Sequence, residues 1–266
     1  MDNDNSTTMV CGPDGCDISA TGPRPTETTR SGTRTDVEPA GTRIDIVSDA
    51  ICPWCYIGKR QLERALATLA AEGQTFQVHW NPFQLNPDMP KEGRDRAAYR
   101  AWKFGGAEKS AALDRRITDA AAAVGLAFRT DLMTRTPNTI DAHRLIWFAS
   151  QNGPFPAQAQ QRQDAVMEAV FRAYFIEGRD IGDPAVLADC AVQAGLPRQT
   201  VEDFLSGELA TNEMRAADQA ARTAGVSGVP SFFLDGYSLF SGAMPAETIA
   251  AALRRGQAVL RDRQTA

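Results

Sequence analysis

The sequence predicts an α/β protein whose short sheet is interrupted by a large all-helical insertion. Three observations carry this. A strand, a Cys-x-x-Cys turn, a helix and a second strand follow one another over residues 42–82. Strand character then returns only near residue 229, as a hairpin followed by a last helix. The roughly 140 residues between read as helices, and a compact domain does not hold a structureless loop of that length. The expected organisation is a disordered tail over 1–41, a first half of the sheet-bearing domain over 42–90, a helical insertion over 91–224 and a second half over 225–266.

The elements follow from local patterns. Thr42-Arg43-Ile44-Asp45-Ile46-Val47-Ser48 alternates and then turns continuously apolar, as a strand buried on at least one face does. After Cys52-Pro53-Trp54-Cys55, Leu62, Leu66 and Leu69 recur at helical spacing until Gly73. Phe76, Val78 and Trp80 alternate with Gln77 and His79, and Pro82 ends that strand. In the interval, helical pattern covers 95–104, 107–124, 138–151, 157–177 and 208–224. Asp183-Pro184 supplies an N-cap acid with proline at the first helical position. Val229 to Leu234 reads as a strand, Asp235-Gly236 as a tight hairpin turn, and Tyr237 to Phe240 as the returning strand before a final helix over 245–260.

Charge is unevenly distributed along the 266 residues, whose formal net charge is −5. Residues 1–41 hold seven acids against three arginines and no aromatic residue, and 20 of them are Ser, Thr, Gly or Pro. Such a stretch buries too little apolar surface to offset the entropy of ordering it. The balance argues against a nucleic-acid binder that works through bulk positive charge. No run of 18 to 20 apolar residues occurs, so no transmembrane helix and no membrane partner are expected. The start, MDNDNSTTMV, lacks the basic and apolar blocks of a secretory signal, which points to a cytoplasmic location. Five cysteines are too few for a disulfide scaffold, so close pairs point to chemistry instead.

Two such pairs exist, Cys52 with Cys55 and Cys11 with Cys16. The first opens a helix, where unpaired backbone N–H groups and the helix dipole favour an anion. The pKa of a thiol in that position can fall from about 8.5 to roughly 3.5–7.5. Two intervening residues let the second thiol close a disulfide with the first. Cys52 is therefore the expected exposed nucleophile and Cys55 the resolving thiol. Pro53 stiffens the first turn, and Trp54 sets an apolar surface beside the sulfurs. A zinc half-site would need a second ligand pair, and only the loosely spaced Cys11 and Cys16 are on offer, so no metal is expected. Those two enclose the turn sequence Gly12-Pro13-Asp14-Gly15 and either have no catalytic part beyond a loose metal contact or form a second redox pair that exchanges with Cys52 and Cys55. Proline directly before the strand, in Gly228-Val229-Pro230-Ser231-Phe232, is a candidate cis peptide. His143 shares a helix face with Ile140 and Trp147 and is either a core histidine or a group near the active site. His79 reads as structural and Cys190 as a small buried hydrophobe. Asp49 either caps the helix or raises the thiol pKa.

Ser48 to Lys59, Trp80 to Pro87, Pro137-Asn138-Thr139, Ala142 to Leu145 and Gly228 to Phe232, in that order, resemble the DsbA-like branch of the thioredoxin superfamily, specifically its FrnE-type cytoplasmic members. The resemblance implies a thioredoxin-like fold interrupted by a helical domain. It implies a protein disulfide oxidoreductase that works on protein or small-molecule disulfides and dithiols through Cys52 and Cys55. It also implies that Pro230 is cis and faces the Cys-x-x-Cys turn, with the Val229 backbone free to pair with a bound peptide. Substrate would lie over Trp54, Trp80 and Pro230. DsbA carries histidine where Trp54 stands, so a strongly oxidising potential is not implied. The expected partners are a thiol or disulfide substrate and a cytoplasmic thiol reductant. No bound cofactor is expected, although glutathione could serve as co-substrate. The alternative is a glutathione-dependent isomerase or transferase acting on an aromatic small molecule, as in sister families that often lack the second cysteine.

Overall fold

Strand β1 (Thr42–Ser48) is the axis of the fold: Ile44, Ile46 and Ser48 are fully buried on one face, and Val47 buries the opposite face toward its end. The structure is a computed structural model describing residues 41–151 and 156–265. The expected tail over 1–41 lies almost wholly outside the described residues, and so do Cys11 and Cys16, the candidate second redox pair. The described residues fall in one compact unit.

β1 leads through a short turn into α1 (Pro53–Ala71), which crosses back so that β2 (Phe76–Pro82) runs parallel to β1. On its other side β1 pairs antiparallel with β5 (Ser231–Leu234), which turns into β6 (Tyr237–Ser241). The sheet order is β2-β1-β5-β6. The register sets Ile46 between Trp80 and Phe232. The β5–β6 turn uses Asp235 and Gly236 at φ +48° and +82°, the left-handed pair that a two-residue hairpin requires. A last helix, α9 (Ala246–Thr265), packs against α1.

Between β2 and β5 lie α2 (Arg96–Phe104), α3 (Ala107–Ala123), α4 (Ile140–Gln151), α5 (Pro156–Phe175), α6 (Pro184–Gln193), α7 (Arg198–Ser206) and α8 (Thr211–Thr223). Asp183 caps α6 as its sequence indicates, accepting the Ala185 N–H at 2.8 Å. Two features carry no clear sequence signal. Helix α7 has Pro197 as its N-cap and no side-chain cap, and β3 (Arg94–Asp95) with β4 (Arg135–Thr136) forms a polar two-residue ribbon. The interval is not a separate globule, because one hydrophobic core runs from Ile44 and Leu69 through Phe171 to Leu187. Tyr56 of α1 stacks on Phe171 of α5 at 4.9 Å, and Phe128 stacks on Phe175 at 4.7 Å.

Polar contacts reinforce this seam. Lys59 of α1, only 3% exposed, meets Asp164 at 3.0 Å and Glu168 at 3.3 Å on α5, and also pairs with Glu63. Gln163 closes the open edge of β2: its Oε1 accepts the Trp80 N–H at 3.0 Å and its Nε2 donates to the Trp80 carbonyl at 3.1 Å. No described helix is long and apolar enough to cross a membrane.

Replacing Gln163 by leucine keeps the volume but leaves two buried backbone groups of Trp80 unpaired. The expected outcome is a loss of about 1–3 kcal/mol in denaturant unfolding, with Gln163→Glu also destabilising because it removes the donor.

Candidate active site

The Cys-x-x-Cys turn is shaped by its own backbone. Ser48 ends β1, and the Cys52 N–H donates to the Asp49 carbonyl at 3.0 Å, folding residues 49–52 into a turn. Cys52 is the N-cap of α1 with extended backbone (φ −86°, ψ 113°), Pro53 follows inside the helix, and the Cys52 carbonyl accepts the Cys55 N–H at 3.0 Å. Proline is suited to this first turn because its missing N–H would have no partner there. The Cys52 sulfur thus stands at the N-terminus of a 19-residue helix, where backbone dipoles favour negative charge.

The second half of the fold comes over this turn. The Val229–Pro230 peptide is cis, and the Cys52 thiol donates to the Val229 carbonyl at 3.5 Å. Ser231 Oγ donates to the Gly228 carbonyl at 2.8 Å, and the Gly242 N–H donates to the Pro230 carbonyl at 2.8 Å, which fixes the loop. The Pro230 ring rests on Gly58, where an added Cβ would lie 3.1 Å from Pro230 Cγ. The glycine three residues beyond Cys55 is therefore what lets the loop come this close.

Expectation and structure differ on exposure. Cys52 is not an exposed thiol but is only 3% accessible, because Val229 and the flanking turn cover it; it is reached through a cavity of about 350 Å³. Pro53, Trp54 and Val229 line this cavity with it. Trp80 and His143 do not. Trp80 is turned into the core, with its Nε1 donating to Asp164 at 2.9 Å, and both residues border a second cavity lined also by His79 and Asn81 of β2. The placement of Trp80 over the sulfurs is thus corrected, since Asp164 and Gln163 of α5 hold it away. His79 is half-buried, with its Nε2 2.8 Å from Gln160 Nε2. Of the two cysteine pairs singled out in the sequence, Cys52 and Cys55 form this site. Cys11 and Cys16 lie outside the described residues, so a second redox pair is not placed beside it.

Asp49 does not take the capping role its position suggested. No side chain caps α1. Its buried carboxylate instead accepts the Leu85 N–H at 2.7 Å and faces His143 Nε2 at 3.4 Å. The same His143 nitrogen lies 3.1 Å from the Phe83 carbonyl, so it faces two acceptors and carries the hydrogen. From the far side, Asp218 accepts the Gln84 N–H at 2.8 Å, and Arg222 stacks 4.1 Å over Phe83. The segment after β2 is pinned from three elements, which sets Leu85 and Asn86 into the cavity wall.

A basic face of α2 completes that wall: Arg96, Arg100 and Lys103, with Tyr99 between them. Sequence reading passed over these residues, although their spacing of four and three places them on one helical face. Among the described residues no group of three or more His, Cys, Asp and Glu is arranged to hold a metal ion.

Cys55 is completely buried one turn below Cys52. Burial, and secondarily the Cys52 sulfur, push its thiol well above the usual range, while the Ser48 hydroxyl and the Asp49 backbone act in the opposite sense. Burial also pushes Cys190 up to about 12. Both thiols stay protonated in the fold at a pH where the unfolded chain ionises, near about 8.5. The unfolded state then binds fewer protons, so stability falls as pH rises above that value. Urea unfolding of the reduced chain between pH 7 and 10 is expected to show this fall, at up to about 1.4 kcal/mol per pH unit for each thiol. Cys55→Ala and Cys190→Ala should each remove their share; a fall that both variants retain would contradict the assignment.

Comparison with known proteins agrees with this geometry. A family model described as a DSBA-like thioredoxin domain matches residues 43–254. The probable DsbA oxidoreductase SCO1869 of Streptomyces coelicolor is 33% identical, with a TM-score of 0.71, covering 82% of this chain and 90% of that one. The uncharacterized protein YwbO of Bacillus subtilis (strain 168) is 25% identical over 195 residues, 72% of this chain and 86% of that one. The cytosolic disulfide reductase DsbM of Pseudomonas aeruginosa shares the fold at 16% identity and a TM-score of 0.53, covering 84% of this chain and 100% of that one. With the family model spanning both halves of the sheet and the helices between them, the chain belongs to the DSBA-like thioredoxin domain family.

Proposed function

We propose that the chain is a FrnE-type protein disulfide oxidoreductase of the cytoplasm, working through Cys52 and Cys55. The observation that carries this is the Cys52 sulfur at the N-cap of α1, 3.5 Å from the Val229 carbonyl and open to a cavity, with Cys55 buried behind it. In the reducing direction the Cys52 thiolate attacks one sulfur of a substrate disulfide. A mixed disulfide forms, and the other substrate sulfur leaves as thiolate and takes up a proton. Cys55 then loses its proton and attacks Cys52. The Cys52–Cys55 disulfide closes, and the second substrate sulfur leaves as a thiol. Two electrons pass from the protein to the substrate, and a cytoplasmic thiol reductant restores the dithiol. The reverse sequence oxidises a substrate dithiol.

The supporting residues have distinct tasks in this scheme. Trp54 offers an apolar surface beside the sulfurs, and the Val229 backbone next to Pro230 offers a pairing edge for a peptide. His143 acts at a distance, holding Asp49 and the wall segment it anchors. Burial suits Cys55 to resolution: its high pKa keeps it from competing as the attacking thiol until the mixed disulfide is in reach.

Cys52→Ser is expected to abolish turnover of a protein disulfide such as insulin. Cys55→Ser should accumulate a mixed disulfide visible as added mass on Cys52. Full turnover by Cys52→Ser would overturn the assignment, and full turnover by Cys55→Ser would favour the glutathione-dependent reading.

A further inference from the structure

The wall of the active-site cavity carries more positive charge than the fold uses. Arg96 and Arg100 share one carboxylate, Asp114, at 2.9 and 2.7 Å, which joins α2 to α3 and leaves one of the two guanidinium charges uncompensated. Lys103 forms no ion pair among the described residues. Its hydrogen-bond partner is the neutral Asn86 Oδ1, an atom that also accepts from the Tyr99 hydroxyl at 2.8 Å. Partial burial holds the Lys103 ammonium below its usual range; Asp49 acts in the opposite sense, but its carboxylate is engaged by the Leu85 N–H and faces His143. Helix α2 contributes no fully buried side chain, so its basic face is not a by-product of core packing. Across the cavity the surface is apolar, from Trp54, Ile117, Phe128 and Phe175.

We propose that this cavity selects disulfides that carry a carboxylate close to the reacting sulfur, with Lys103 and Arg100 as the specificity-determining residues. The inference rests on the thiol–disulfide exchange proposed above and names the substrate class of that site. A carboxylate between the two cations completes charge-assisted hydrogen bonds that a neutral substrate leaves unmade, and an ammonium there is repelled. The sulfur end of the same molecule lies against Cys52, and the exchange balances as already written.

The test compares reaction of the reduced full-length chain with 3,3′-dithiodipropionate (anionic), 2-hydroxyethyl disulfide (neutral) and cystamine (cationic). Each rate constant is divided by that of the same disulfide with free 2-mercaptoethanol, which removes intrinsic reactivity. The normalised order should be anionic, then neutral, then cationic. The anionic-to-neutral ratio should fall about tenfold in Lys103→Gln and further in Lys103→Glu. Lys91→Gln, the same charge change on an exposed residue outside the cavity, should keep the ratio. Disulfide-linked peptides with Glu or Lys beside the cysteine distinguish the source of the carboxylate. Selectivity for small molecules alone, for peptides alone or for both supports the proposal and says which source is read. A normalised ratio near one throughout, or one that Lys103→Glu leaves unchanged, overturns the selectivity while leaving the exchange reaction intact. Failure of the small disulfides and of the disulfide-linked peptides alike to react would overturn the exchange reading and the selectivity together.

Discussion

The close approach of the Val229–Pro230 loop to the first turns of α1 is the contact on which the rest of the site depends. It brings a backbone carbonyl 177 residues away in sequence to 3.5 Å from the Cys52 sulfur. Three constraints produce it. Pairing of β1 with β5 fixes where the loop ends, Gly58 removes the side chain that would hold the Pro230 ring off, and the Gly242 N–H and Ser231 hydroxyl hold the loop's own carbonyls. Beneath the loop Cys55 is fully buried, and Cys52, only slightly accessible, borders the cavity together with Val229.

The helical interval makes that cavity selective, and it does so without being a separate body. Lys59, one helical turn beyond Cys55, ties α1 to the acids of α5, its own ammonium buried and the acids partly open to solvent. Gln163 and Asp164 hold Trp80 and the β2 edge, while Asp49, His143 and Asp218 hold the segment after β2. The cavity wall therefore stands on a rigid frame, as a site must if it is to place a sulfur for in-line exchange. Only the basic face of α2 departs from this pattern, because its charges exceed what the fold pairs.

Where the chemistry is local, the sequence was sufficient. Pro53 after an N-cap cysteine, the Asp183-Pro184 start and the Asp235-Gly236 turn each act through their own backbone, and all three lie where their patterns indicate. The interrupted sheet was legible from the absence of strand pattern across the interval. What escaped depends on distant partners. Trp80 reads as an aromatic free to face the sulfurs, yet Gln163 and Asp164, some 80 residues on, decide where it points. The seal over Cys52 comes from residue 229, and the task of Asp49 is set by Leu85 and His143. Helix α7 carries too few apolar residues, and the β3–β4 ribbon too short a run, for periodicity to register. The basic face of α2 was legible in principle, but its meaning comes only from the cavity it borders.

The most direct test of the central claim is the two-electron midpoint of the Cys52–Cys55 couple. The full-length chain would be equilibrated in redox buffers spanning about −300 to −100 mV, acid-quenched and mapped by peptide mass. The expected result is a single two-electron transition in which the peptide holding Cys52 and Cys55 loses two hydrogens. Its midpoint should lie between the poise of thioredoxin, near about −270 mV, and that of DsbA, near about −120 mV. A chain in which Cys52 and Cys55 never pair with each other across that range would contradict it.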